Sequence, residues 1–436
     1  MFLYYIRLSM LSYKRNPVLS TLMVLAVAVG VGAYMVIFTL NYFMGGDPIP
    51  QKSAQLFHLQ LDYGNPAIPE TANNPQLAYV DALALLDAPF SYARSASSKF
   101  MAVLQPSNPE LSPFFVDGRG NTADFFSMFD VPFKFGSAWD RRADDTQQQV
   151  IVLSQDLNLR LFGGENSVGR DVELQGIHFT VVGVLDYWEP APKFFDVNNG
   201  AFNRAEEAYI PWSLIVGQRL RRSGNTNCWA PPKDSSFESF LNAECAWIQY
   251  WVELPGRDDQ QIYADYLAGY VEQERAAGRM QIPIEKRLFN VREWMVEREV
   301  QPDETRILSA LAAMLLAVCL LNTVGLLLSK FLGKAAEIGV RQALGAHKGA
   351  LFVQHVIEAG FLGAIGGVLG LGVAALGLEG VKILLGGERV NNEWVHLDLT
   401  VTAVTIVLAV ISTVVAGLYP IWRACNINPA IHLKTE

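Results

Sequence analysis

Four long apolar runs constrain this chain more than any other feature. Val18–Leu40 carries no charge over 23 residues, Ile307–Leu328 none over 22 and Leu399–Ile421 none over 23; residues 351–378 are apolar and glycine-rich, with Glu358 as their single charge. A helix needs roughly 20 such residues to cross a bilayer core. Mean hydropathy is +0.19 and charged residues make up 18%, below the usual quarter of about 25%. The reading is a membrane protein with four transmembrane helices, at 18–40, 307–328, 351–378 and 399–421. A cleaved signal peptide is the competing reading of the first run, since Lys14 and Arg15 precede it and Ala26-Val27-Ala28 could be cut. Secretory apolar cores are only about 7–15 residues long, and this run continues past Ala28.

Lysine and arginine beside the spans set the expected orientation. Residues 1–17 carry Arg7, Lys14 and Arg15 and no acid. Residues 329–350 carry Lys330, Lys334, Arg341 and Lys348 against Glu337, whereas the 379–398 loop is acidic. Both termini (1–17 and the tail 422–436) and the 329–350 loop are expected in the cytoplasm, with the 41–306 insert and the 379–398 loop outside. The insert holds 23 basic and 36 acidic side chains, a net of −13. That charge excludes nucleic acid as a partner and argues against the insert lying on anionic lipid.

Within this frame, residues 1–17 read as an amphipathic helix on the membrane surface, with Leu3, Ile6, Met10 and Tyr13 as its apolar stripe. Gly45-Gly46-Asp47-Pro48 closes the first span. The insert reads as mixed α+β: strands at 56–61, 97–104, 150–153, 247–254 and 284–289, and helices at 75–86, 122–129 and 258–273. Ser154 is placed to cap a helix running to Phe162, and 171–184 forms a hairpin about Gly176. Residues 186–240, rich in Pro, Asn and Gly, read as long loops. From Val291 the chain reads as helical through Pro302 into the second span. Cys228 and Cys245 share the insert, where an oxidising compartment lets them pair; two unpaired thiols are the alternative. In the third span, Gly363 with Gly367 and Gly366 with Gly370 have the four-residue spacing that lets helices approach, within a bundle or a dimer.

The sequence lacks G-x-x-x-x-G-K-[ST], H-E-x-x-H, C-x-x-C and G-x-S-x-G, and its six His are scattered. No catalytic, cofactor-binding or metal-ligating residue is therefore expected. Glu358, inside a span, is a functional hypothesis by position; pairing with Lys348 or Arg341 is the structural reading of it, and ion transport the other.

The segment Glu337-Ile-Gly-Val-Arg-Gln-Ala-Leu-Gly-Ala346, then Glu358 and a glycine-rich span, resembles the transmembrane core of MacB/FtsX-type ABC permeases. Gly417-Leu-Tyr-Pro-Ile-Trp-Arg-Ala424 followed by Asn428-Pro429-Ala430 and Leu433 resembles the end of that core, and Arg15-Asn16-Pro17 its beginning. Val152-Leu-Ser154, Leu161-Phe-Gly163, Ser167-Val-Gly-Arg170 and Phe179-Thr-Val-Val-Gly-Val184 resemble the MacB periplasmic core domain.

The resemblance implies a bacterial inner-membrane permease that pairs with a second copy or a paralogue and lacks a fused ATPase. ATP and Mg would be bound by a separate cytosolic ATPase dimer docked on the 329–350 loop, through Lys334, Glu337, Ile338, Gly339, Arg341, Leu344, Gly345, His347 and Lys348. It further implies mechanotransmission: the permease is not itself an enzyme, and ATPase closure moves the ectodomains by way of continuous helices. The helical reading from Val291 supplies one lever, while Gly45–Pro48 interrupts the other. Efflux of amphiphilic molecules, peptides or lipids through a periplasmic adaptor and outer-membrane channel is the function it implies first. A regulatory permease activating a cell-envelope hydrolase, or a lipoprotein-releasing permease, is the alternative.

Overall fold

The structure, a computed structural model, describes residues 2–64, 74–284, 287–385 and 399–426. Most of the 379–398 loop, residues 285–286 of the strand expected at 284–289, and the Asn428–Leu433 part of the tail lie outside the described residues. The chain divides into two compact units, Gly46–Val300 and the pair of segments Met1–Gly45 and Gln301–Glu436.

The N-terminal segment forms α1 (Phe2–Arg15) and α2 (Pro17–Met44). The insert then runs β1 (Leu56–Leu59), β2 (Leu77–Ala78), α3 (Tyr79–Leu86), β3 (Arg94–Gln105), β4 (Phe114–Asn121), α4 (Asp124–Met128), β5 (Phe133–Gly136), α5 (Arg141–Asp145), β6 (Val150–Leu153) and α6 (Gln155–Phe162). It continues with β7 (Asp171–Leu174), β8 (Ile177–Leu185), β9 (Ala208–Pro211), α7 (Ser213–Gly217), β10 (Asn227–Cys228), α8 (Phe237–Leu241), β11 (Cys245–Glu253), α9 (Arg257–Ala276), β12 (Leu288–Asn290) and α10 (Val291–Glu297). The C-terminal segment forms α11 (Glu304–Leu332), α12 (Ala335–Ala343), α13 (Lys348–Leu385) and α14 (Leu399–Cys425).

The insert is one sheet in the order β12-β1-β11-β3-β4-β9-β6-β8-β5. Strand β7 pairs with both β8 and β3, so β3-β4-β9-β6-β8-β7 closes into a six-stranded barrel. β3 serves twice: its first residues pair with β11 and the remainder with β4 and β7. Local chemistry explains several elements. The Ser154 hydroxyl accepts from Leu157 N at 3.1 Å, and Gly163 ends α6 at φ +65°, left-handed backbone that favours glycine. Gln175 and Gly176 both have positive φ, as a tight hairpin turn with the handedness of the strands requires.

The structure departs from the sequence reading in three places. Residues 186–240 are not simply loops: they contain β9, a wall of the barrel, as well as α7, β10 and α8. β9 is only four residues, Ala-Tyr-Ile-Pro, and owes its place to distant partners rather than local pattern. Strand β4 also went unread, because Asp117-Gly-Arg-Gly-Asn121 has low strand propensity. Its glycines are needed nonetheless: a Cβ on Gly118 would lie 2.1 Å from the Phe100 ring and one on Gly120 2.4 Å from Ile215. The helix expected from Val291 through the second span is broken: α10 stops at Glu297, Glu299 turns left-handed at φ +48°, and α11 begins only at Glu304, after Pro302, which has no N–H to give. In α1, Ser9 and Ser12 are buried, while Met10 is 52% exposed.

All four long helices α2, α11, α13 and α14 are long and apolar enough to cross a membrane. The third-span glycines pack inside this bundle, on two faces of α13. Gly363 and Gly367 meet Ala409 and neighbouring residues of α14, and Gly366 and Gly370 meet α2 at Val27 and Ala28. A Cβ on Gly363 would sit 1.9 Å from Thr413 Oγ1 and 2.8 Å from the Ala409 carbonyl oxygen. Gly363→Leu is accordingly expected to destabilise the bundle by about 1–3 kcal/mol through overpacking. Lowered thermal stability in detergent would register this, whereas Gly372→Leu, where nothing lies within 4 Å, should leave it unchanged.

Candidate functional site

The 329–350 segment is built around α12, set off from its neighbours by Gly333 and by Gly345, whose φ of +94° favours glycine. The nine residues predicted here divide by direction. Ile338 is 5% exposed and packs with Phe331, Leu351 and Ile421; Gly339 is buried beside it. Glu337 and Arg341 form an i,i+4 ion pair at 2.6 Å, Arg15 reaches Glu337 at 3.3 Å, and Arg341 also donates to Gln354 at 3.3 Å. Gln342 Nε2 donates to the Cys425 carbonyl at 3.1 Å, tying α12 to the end of α14. Leu344 is 83% exposed, and Gly345, His347 and Lys348 share that outward side with Val340. His347 Nδ1 accepts from Gly349 N at 3.2 Å and so helps to start α13. The outward face is thus apolar and basic, and the inward face anchors it.

Lys334 points inward, to Glu358. Glu358 Oε1 lies 2.9 Å from Lys330 Nζ and 3.2 Å from Lys334 Nζ and accepts from Ser12 Oγ, while Oε2 lies 3.1 Å from His355 Nδ1. The expected partners Lys348 and Arg341 are not used. Lys348 is exposed where α13 begins, and Arg341 is held by Glu337 and Gln354.

In the insert, Cys228 and Cys245 form a disulfide joining β10 to β11. Trp229 beside it stacks on Tyr63 at 4.2 Å and donates to Glu244, which pairs with Arg279 at 3.2 Å. The sequence reading missed a buried charge cluster. Arg119, fully buried on β4, bonds both oxygens of Glu206 at 3.0 and 2.9 Å, as well as Asp196 and Ser97. Lys193 reaches Glu206 at 3.1 Å, and Gln249 donates to Asp196 at 2.8 Å. Burial disfavours the Glu206 charge, but Arg119 and Lys193 outweigh it and hold the carboxyl well below its usual range. These contacts pin the 193–206 strap against β3, β4 and β11. The only sequence signal was the grouping of Lys193, Asp196, Arg204 and Glu206 in an otherwise neutral, aromatic stretch. Among the described residues, no three His, Cys, Asp or Glu side chains are grouped to hold a metal ion.

Comparison with known families agrees with this architecture. The MacB-like periplasmic core domain matches residues 20–265, and the FtsX-like permease C-terminal domain matches residues 309–429. The chain belongs to the MacB/FtsX-type ABC permeases. The permease is 24% identical over 324 residues to the pyoverdine export ATP-binding/permease protein PvdT of Pseudomonas aeruginosa, covering 73% of this chain and 42% of that one. It is 23% identical over 371 residues to the macrolide export ATP-binding/permease protein MacB of Acinetobacter baylyi, covering 84% and 49%. The chain thus spans less than half the length of these two relatives. The periplasmic region of MacB from Actinobacillus actinomycetemcomitans aligns with 58% of this chain and 96% of its own, at 14% identity and a TM-score of 0.38. The permease is a multi-pass membrane protein whose insert matches a periplasmic core domain.

Proposed function

We propose that the permease works by mechanotransmission: a cytosolic ATPase dimer, which binds the ATP and Mg, docks on α12 and drives motion of the periplasmic domain. The observation that supports this is the two-sided build of α12. One face is locked into the bundle through Ile338, Gly339 and Lys334. The other offers Val340, Leu344, His347 and Lys348, an apolar centre with a basic edge suited to a groove on a partner. On this reading α12 and both termini lie in the cytoplasm, which the positive residues beside α12 support. A second permease copy or paralogue completes the assembly. The cargo, on this reading, is an amphiphilic molecule, peptide or lipid passed to a periplasmic adaptor and outer-membrane channel.

The test is Leu344→Asp in the permease co-expressed with its ATPase. An apolar contact at the centre of a docking face is worth about 2 kcal/mol, so association should weaken roughly thirtyfold. Membrane insertion should be untouched, because Leu344 is exposed. Unchanged co-purification and ATP turnover would remove α12 as the docking element.

A further inference from the structure

The knot around Glu358 joins more of the bundle than a single ion pair requires. Its carboxylate meets Ser12 of α1, Lys330 of α11, Lys334 at the start of α12 and His355 of its own helix α13. Glu358, Lys330 and His355 are all nearly inaccessible, at 3%, 2% and 4% exposure. Lys334 Nζ also lies 2.5 Å from Ser12 Oγ, and Lys330 Nζ donates to Ser20 Oγ of α2 at 3.1 Å. Two ammonium groups beside one carboxylate are further stabilised by the C-terminal end of α11, where cations are favoured. A second tie joins the same elements at the surface, from Arg15 of α1 to Glu337 in the first turn of α12.

This geometry connects α12 to α1 at two successive points, Lys334 and Glu337. One residue, Asn16, separates α1 from α2, which continues unbroken from Pro17 to Met44. The other route, through α11, meets the interruption between Glu304 and α10.

We propose that Glu358 is a positioning residue that clamps α1 to the coupling helix α12, so that a push on α12 enters α2 through α1. Its mechanical meaning rests on the docking proposed above; the clamp itself is tested without the ATPase. When Glu358 loses its charge, Lys330 and Lys334 lose the group that holds them inside the bundle. Both side chains then extend toward the interface, as long basic side chains at span ends do. α1 and α12 become free to move apart.

The experiment uses the full chain in lipid nanodiscs, with Cys319 and Cys425 replaced by alanine and spin labels at positions 7 and 340, both exposed. Pulsed dipolar spectroscopy then reads the distance between α1 and α12. The wild-type background should give one narrow distribution. Glu358→Gln and Lys334→Met should lose the narrow component, and Lys334→Arg, which keeps the charge, should retain it. A control pair at 369 on α13 and 407 on α14, likewise exposed, should stay narrow in every variant. A narrow 7–340 distribution in Glu358→Gln overturns the clamp. Broadening of the control pair along with it also overturns the clamp, since Glu358 would then hold the bundle together generally. If the clamp results hold while Leu344→Asp leaves ATPase binding intact, the docking proposal fails and the clamp stands.

Discussion

Replacing Arg119 by methionine is expected to cost the periplasmic domain about 3–5 kcal/mol, a large share of the roughly 5–15 kcal/mol that holds a domain folded. Methionine fills much of the space of the arginine stem, so the loss is electrostatic rather than a cavity. It leaves both carboxylates buried, Glu206 facing Lys193 and, at 3.6 Å, Lys99, and Asp196 held by the neutral amides of Gln249 and Asn199. Restoring water to these carboxylates means releasing the 193–206 strap, and β9 follows it directly. The barrel then opens between β4 and β6, because β9 is the strand that joins them. Urea unfolding of the permease in detergent, followed by tryptophan fluorescence, should show a lowered midpoint. Arg170→Met is the matched control: its pair with Glu165 is 47% and 72% exposed and should contribute less than about 0.5 kcal/mol. Equal midpoints for Arg119→Met and the parent would refute the role given to the cluster.

The second large effect concerns pH. His58 is fully buried on β1, stacked on Trp294 at 3.7 Å and edge-on to Trp251 at 5.1 Å. Burial pushes its imidazole down to about 3, with Arg298 adding to the effect and Gln249 opposing it. The folded value lies below that of the unfolded chain, near 6.5, so the unfolded state binds the proton more readily. The contribution of His58 to stability is complete above pH 6.5 and falls as pH drops toward 3, by up to about 1.4 kcal/mol per unit. At pH 4.5 the loss is about 2–3 kcal/mol. His58→Phe keeps an aromatic ring in the stack and should flatten this acid limb. A melting temperature that falls equally steeply in both proteins between pH 6.5 and 4.5 would assign the limb to other groups. Asp144 has the opposite sign: burial pushes its carboxyl up to about 7 against hydrogen bonds from Ala123 N and Trp139 Nε1. The folded state therefore prefers it protonated, and its contribution declines as pH rises through 7.

What the sequence revealed follows physical range. Spans, the Ser154 cap and the Gly176 hairpin are set by residues a few positions apart, and these were legible. So were the basic charges of the 329–350 segment, because they are local. β4 and β9 were not, since Gly118 and Gly120 answer to Phe100 and Ile215, and Ala208–Pro211 to strands some fifty to ninety residues earlier. The site shows the same division. Its residue types could be read directly, but not the direction each faces, so the structural reading paired Glu358 with Lys348 or Arg341, whereas the lysines that hold it come from α11 and from the residue just before α12. The interruption between α10 and α11 was hidden because Pro302 alone is compatible with either a kinked helix or a stop.

The pairing of β1 bears on how the periplasmic domain is made. β1 is the next element after α2, yet among the described residues it pairs with β11 and β12, which arrive close to the end of the insert. During export its backbone emerges first and stays without strand partners until nearly two hundred further residues have crossed. At synthesis rates of about 5–20 residues per second, that wait is roughly ten to forty seconds. Throughout it, the apolar segment Leu56-Phe-His-Leu59 lacks the partners that cover it in the folded domain and is open to pairing with another chain. Biogenesis of this permease therefore has a built-in period of exposure, ended only when Cys245–Glu253 arrives to cover it.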